Sequence, residues 1–214
     1  MNNIIKSALA SLAILLASSC ANEEAIRVAC IGDSITEGYG INYQSYSSYP
    51  ARLDSILGSG YDVLNFGRSA TTMMQNGNFP YWSAKEFNNM LAYHADIHVI
   101  MLGTNDAKLF QWNAKAFSDS YQAMIDTIYS VNPKSQIYLC HCIPARATKW
   151  EITDSVIVNY VNPCIDTLAK NNNLPIIDMY SVMTPHLERI FDDIHPDSEG
   201  TKIMASAIAK VIKK

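Results

Sequence analysis

The chain has 214 residues, of which 49% are hydrophobic and 17% charged, and its formal net charge is −4. That length and balance suit one globular domain with a substantial core and exclude a disordered chain. With a negative net charge and no basic run, no nucleic-acid partner is expected.

The first 20 residues stand apart. Lys6 is their only charge, Ala8 to Ala17 is a short apolar run, and Ser18-Ser19-Cys20 closes it. The pattern predicts a secretory signal peptide over residues 1–19, too short for a stable membrane span. The small residues before Cys20 resemble a bacterial lipobox, with Ala17 where such boxes usually carry Leu. Cys20 would then be the lipidated first residue of the mature protein, residues 20–24 a tether, and the acyl chains a membrane anchor. The expectation is an exported cell-envelope lipoprotein of the periplasm or outer membrane. Plain cleavage and secretion is the alternative.

Residues 25–214 read as one domain without repeats or linkers. Ala25 to Ile31 is apolar except for Arg27 and predicts a strand that runs into Gly32-Asp33-Ser34. Tyr39 to Tyr49 is polar and tyrosine-rich. A helix starts near Ser48-Tyr49-Pro50, buries Leu53, Ile56 and Leu57, and stops at Gly58-Ser59-Gly60. Tyr61 to Phe66 is the second strand, ending on Gly67. Met73 to Trp82 has no period and predicts a loop, and Lys85 to Tyr93 a helix. Asp96 to Leu102 is a strand followed by Gly103-Thr104-Asn105-Asp106. Phe117, Tyr121, Met124, Ile125 and Ile128 recur at helical spacing, and Asn132-Pro133 ends that helix.

Gln136 to Ile143 predicts a strand, and a helix begins near Pro163 and runs to Lys170. Asn171-Asn172-Asn173 is a turn and Leu174 to Asp178 the last strand. A final helix from Asp197 carries two stripes, Ile203-Ala207-Val211 and Met204-Ile208-Ile212. Cys30, Cys140 and Cys142 lie in strand-like runs and are expected as buried free thiols. Cys140-His141-Cys142 is not read as a metal site. In a strand, alternation turns His141 away from both thiols. Strands alternating with helices predict a mostly parallel, five-stranded sheet covered on both faces, with the loops after the strands at one edge.

Chemically apt residues gather at that edge. Ser34 follows the first strand, where its hydroxyl and its N–H can share one space, although Asp33 and Ser34 could equally cap the next helix. A serine needs a base. His98 and His141 sit inside strands, His94 ends a helix, and His186 lies in a segment without pattern. His195 alone has a carboxylate three residues earlier, Asp192, able to hold its imidazole, with Asp193 and Asp197 as rivals. The N–H groups of Ser34 and Gly67 and the amide of Asn105 are candidate donors to an oxyanion. Asn105 could otherwise form an Asx turn and Gly67 simply punctuate a strand.

In order, Gly32-Asp33-Ser34, Asn65 with Gly67, Gly103-Thr104-Asn105-Asp106 and Asp192-x-x-His195 closely resemble the four blocks of the SGNH hydrolases, the GDSL lipase/esterase family. The second block often reads Gly-x-Ser-Gly, and Ala70 stands here in place of its last Gly. The resemblance implies a three-layer, flavodoxin-like fold over residues 25–214 and a serine ester hydrolase with neither cofactor nor metal. It implies a triad of Ser34, His195 and Asp192, with Ser34, Gly67 and Asn105 as the oxyanion hole. An envelope lipoprotein of this family resembles a carbohydrate O-acetylesterase acting on a sialic acid or an acetylated polysaccharide. Alternatives are an acyl-thioesterase or lysophospholipase-like hydrolase, and a glycan-binding lipoprotein without turnover. Arg68 is a candidate contact for an anionic substrate group. Tyr39, Tyr43, Tyr46, Phe79, Tyr81, Trp82, Trp112 and Trp150 are aromatic residues of the loops expected to rim the site.

Overall fold

A computed structural model describes residues 24–213. The expected signal peptide, Cys20 and most of the expected tether lie outside the described residues.

The first strand, β1 (Ile26–Gly32), leads into a one-turn helix α1 (Ser34–Glu37), a second short helix α2 (Gln44–Ser47) and then α3 (Tyr49–Leu57). Next come β2 (Tyr61–Gly67), α4 (Lys85–Tyr93), β3 (Ile97–Met101), α5 (Ala114–Val131) and β4 (Gln136–Cys140). The chain closes with α6 (Asp154–Val156), a π-helical turn (Ile157–Val161), α7 (Asn162–Asn172), β5 (Ile176–Ile177), α8 (Met179–Met183) and α9 (Ser198–Ile212).

All strand pairs are parallel, in the order β2-β1-β3-β4-β5. Parallel strands need crossovers, and the helices that supply them cover both faces. Successive residues of β1 therefore feed two cores. Ala29 and Ile31 join Phe117, Tyr121, Met124, Ile125 and Ile165 of α5 and α7. Val28 and Cys30 join Leu53 and Leu57 of α3 and Met204, Ile208 and Ile212 of α9. Each such buried aliphatic side chain contributes about 2 kcal/mol by leaving water.

Strand order reverses between β1 and β3, which is where ligands bind in open α/β sheets. Register makes this exact in space: Gly32 pairs with Gly67 on one side and with Met101 on the other. The loops that follow β2, β1 and β3 thus leave the sheet at one level.

Several sequence expectations need correction. The fourth strand stops at Cys140, not Ile143, because the Asn162 side chain takes over the main chain of Cys142. Its Oδ1 accepts the Cys142 N–H at 2.9 Å and its Nδ2 donates to the Cys142 carbonyl at 3.2 Å. Alternation breaks there, so Cys140 packs toward α9 and Cys142 toward α5, on opposite faces of the sheet. His141 lies between them and bonds Asp178 and Asp166 at 2.9 and 3.0 Å. The helix around Pro163 begins nine residues earlier, at Asp154. Proline cannot donate to the turn before it, and the wider π-helical turn just ahead of it absorbs the clash. In α9 the burial falls on Met204, Ala205, Ile208, Ala209 and Ile212, while Val211 is 44% exposed.

Candidate active site

Asp33 does cap α1, its Oδ1 accepting the Ile35 N–H at 2.9 Å, and this cap presents Ser34 at the first helical position. There the Ser34 N–H has no helical acceptor and is free for a ligand. Ser34 Oγ lies 2.8 Å from His195 Nε2. The other ring nitrogen, Nδ1, lies 2.9 and 3.1 Å from the two oxygens of Asp192, and the His195 main-chain N–H donates to Asp192 Oδ1 at 2.8 Å. The rival carboxylates are employed elsewhere. Asp197 caps α9 through the Gly200 N–H, and Asp193 lies near Arg146.

Two opposed effects set the charge on this chain of groups. Burial pushes the Asp192 carboxyl up, but the bonds from His195 outweigh it and hold the group below the ordinary carboxylate range. Burial pulls His195 below its usual value against the attraction of Asp192, so the imidazole is neutral and able to accept a proton near pH 7. Lys149, which nothing local in the sequence marks, adds to this. Its Nζ donates to the Asp192 carbonyl at 2.9 Å and stands 3.4 Å from Asp192 Oδ2.

Asn105 reaches the same space from the loop after β3. Its Nδ2 donates to the Thr71 carbonyl at 3.1 Å and makes a long 3.4 Å contact with Asp33. These two contacts hold the amide at the wall of the cavity that Ser34 and His195 line. Asp33 is fully buried, and burial, with Asp106 nearby, raises its carboxyl to about 7.

Gly67 is not brought to the site. Its N–H is spent on Asn65 Oδ1 at 2.8 Å, while Asn65 Nδ2 donates to the Thr36 carbonyl at 2.9 Å. A Cβ at Gly67 would run into the main chain of Glu37, so this glycine permits β2 to press against α1. It lines a separate depression behind α1. Ala70 takes the place expected of Gly67. It has φ of 64° and lines one cavity with Ser34, Asn105 and His195. Neighbouring amides are engaged, Ser69 by Glu37, Thr71 by Arg68 and Thr72 by Phe79, whereas the Ala70 N–H has no acceptor among the described residues. The signal was present in the sequence: Ala70 stands where the second block often carries Gly, the residue suited to positive φ.

The cavity, of about 300 Å³, is lined by Ser34, Tyr39, Ser69, Ala70, Thr104, Asn105, Lys108, Trp150, Ile152, Ile194 and His195. Of the loop aromatics, Tyr39 and Trp150 join it, with ring centroids 4.6 and 5.6 Å from that of His195. Trp112 does not; it packs on Phe117 at 5.1 Å as a cover for the core. Arg68 is exposed over an adjacent depression with Asn78 and Phe79 rather than in the cavity. No cluster of three His, Cys, Asp or Glu suited to a metal occurs among the described residues.

A family model described as the GDSL-like lipase/acylhydrolase family matches residues 30–203. The chain belongs to this family. The chain is 40% identical over 212 residues to an acetylxylan esterase of Xylanibacter ruminicola, a match covering 89% of this chain and 44% of that one. It therefore spans less than half the length of that relative. Its fold is like that of an aryl esterase of M. smegmatis, with a TM-score of 0.73 at 19% identity over 88% of this chain and 99% of that one. It is also like that of a carbohydrate acetylesterase from Sinorhizobium meliloti, with a TM-score of 0.70 at 17% identity over 87% and 97% of the two chains. The protein thus has an α/β fold shared with solved esterases and belongs to the GDSL-like lipase/acylhydrolase family.

Proposed function

We propose that this esterase is a carbohydrate O-acetylesterase that frees acetate from an acetylated glycan, with acetylated xylan as the first substrate to try. The observation that carries the reading is the 2.8 Å contact of Ser34 Oγ with His195 Nε2 in the wall of a 300 Å³ cavity. That volume is at the low end for ligand sites and suits an acetyl group with part of one alcohol unit better than a long acyl chain. The name of the 40% identical relative supports the glycan.

In the proposed mechanism Ser34 Oγ attacks the ester carbonyl carbon as His195 Nε2 takes its proton. Asp192 holds the imidazole in the required tautomer and stabilises the imidazolium. The N–H groups of Ser34 and Ala70 and the Asn105 amide receive the oxyanion, each contributing about 3 kcal/mol to the transition state. His195 then gives its proton to the alcohol oxygen as the carbon–oxygen bond breaks. Water attacks the acetyl-serine, passes a proton to His195, and acetate leaves as Ser34 regains its hydrogen. A lipid anchor at Cys20 belongs to the same proposal. Membrane association lost in Cys20→Ala supports it, and a wholly soluble exported wild type overturns it.

The test compares acetyl, butyryl and octanoyl p-nitrophenyl esters and follows acetate release from acetylated xylan. Acetyl preference with acetate release is expected. Octanoyl preference without release would replace the proposal with a thioesterase or lysophospholipase-like activity.

A further inference from the structure

At the lip of the cavity the chain makes a tight reversal at Lys149-Trp150-Glu151-Ile152. The Ile152 N–H donates to the Lys149 carbonyl at 2.9 Å and the Lys149 N–H to the Ile152 carbonyl at 3.3 Å. Both central residues have positive φ, 50° at Trp150 and 65° at Glu151. That is the signature of a type I′ turn, whose favoured residues are Asn-Gly. A bulky tryptophan and a glutamate in the left-handed region together cost about 2–4 kcal/mol. Core packing does not offset this, because Trp150 is 50% exposed. Backbone strain of this kind persists where surroundings and function hold it.

The surroundings are specific. The Lys149 ammonium stands 4.4 Å over the Trp150 ring while the same atom donates to the carbonyl of Asp192. One cation thus fixes the indole relative to the triad. Trp150 meets His195 edge-on, and Tyr39 and Phe191, 46% and 47% exposed, flank the same imidazole. In the mechanism proposed above His195 protonates the departing alcohol, so the rings around it border the alcohol half of the ester, not the acetyl half.

We infer that Trp150 is a specificity-determining residue, its indole the platform for the pyranose ring that bears the acetyl ester, and that Lys149 positions it. The inference rests on the carbohydrate reading. A flat, amphipathic, pre-positioned ring gives contact area at small entropic cost and aligns the ester for attack. Part of the strain in the turn is the cost of holding it there.

The decisive comparison replaces the strained pair with the residues the turn prefers, in the double variant Trp150→Asn with Glu151→Gly. Melting temperature should hold or rise. The kcat/KM for acetylated xylo-oligosaccharides should fall by about tenfold, the scale of one aromatic contact. Ethyl acetate, which has no ring to stack, should lose less than about threefold, well short of the tenfold that 1.4 kcal/mol represents. Trp150→Phe should recover most of the glycan rate. Equal losses on both esters would make the turn a mere support for His195 and overturn the inference, as would an unchanged glycan rate. Wild type releasing no acetate from any acetylated glycan, while hydrolysing ethyl acetate, overturns the carbohydrate reading itself and the inference with it. That outcome is visible before any variant is made.

Discussion

Asp106 accepts the Met73 N–H at 2.8 Å and so binds the loop after β3 to the loop after β2, 33 residues earlier in the chain. Its second oxygen accepts the Met74 N–H at 2.9 Å. The last residue of Gly103-Thr104-Asn105-Asp106 therefore clamps the segment next to Ala70 and Thr71, where Asn105 is anchored.

Asp106→Ala should be strongly destabilising. It leaves two buried N–H groups without acceptors, at about 1–3 kcal/mol each. Urea unfolding should show a loss of about 2–6 kcal/mol. Asp106→Asn, which retains one acceptor oxygen, should lose about half as much by the same count. Equal stability of the alanine variant and wild type would contradict the clamp.

Glu37 holds the other side of the same loop. Its carboxylate accepts the Ser69 N–H at 2.7 Å and the Ser69 hydroxyl, one residue before Ala70. Glu37→Ala should lower kcat about tenfold with KM little changed, the pattern expected when only the transition state loses an interaction. Glu37→Gln, which still accepts the N–H, should recover most of the rate. A change confined to KM would assign Glu37 to substrate binding instead.

The acid limb of kcat/KM should report His195 in the free enzyme. Only the neutral imidazole accepts the Ser34 proton, so the rate falls as pH drops through its pKa. Burial, opposed by Asp192 and helped by Lys149, holds that value below 6.5, and the half-maximal rate should lie below pH 6.5. Lys149→Met removes the nearby cation and should move the limb upward. A limb above pH 6.5 in wild type, or one that moves down in the variant, would contradict this balance of charges.

His98 should make stability pH-dependent without touching activity. It is buried beside Ser135, 2.6 Å from Nδ1 to the hydroxyl, and burial lowers its pKa from 6.5 to about 4, against the pull of Asp96. Between these values the unfolded chain binds a proton that the folded chain does not, so this stabilisation is lost as pH falls from 6.5 toward 4. The full difference is about 3 kcal/mol. Asp33 and Asp106, raised by burial to about 7 and 6, act with the opposite sign over much of that range. The contribution is therefore read from wild type against His98→Gln by urea unfolding at pH 7 and 4.5. A constant difference between the two would contradict it.

The sheet was legible because β1, β3 and β5 are apolar runs closed by Gly or Asp, and β1 to β4 begin within one residue of their expected starts. That Ser34, Asn105, Asp192 and His195 would be brought together was legible because each stands near a strand end or in a spacing of three residues. The family pattern marked Ala70 beside Gly67, but which N–H stays free is decided by the folded loop, where Asn65 takes the Gly67 N–H from two residues away and Glu37 reaches Ser69 from α1. The early end of β4 likewise depends on Asn162, 20 residues away from the main chain it satisfies. The helix from Asp154 was hidden because its π-helical turn breaks the period that helices are read by. Trp150 was visible only as one aromatic among eight, since its unusual φ is imposed by the fold and contradicts local preference.

The most direct measurement is the initial rate of acetate release from acetylated xylan by wild type and Ser34→Ala, with circular dichroism confirming that both are folded. If Ser34 is the nucleophile, the variant should lose about a thousandfold or more of the rate and keep its spectrum. Acetate release by a folded Ser34→Ala protein at a rate near wild type would contradict the assignment of Ser34, and with it the roles given to His195 and Asp192.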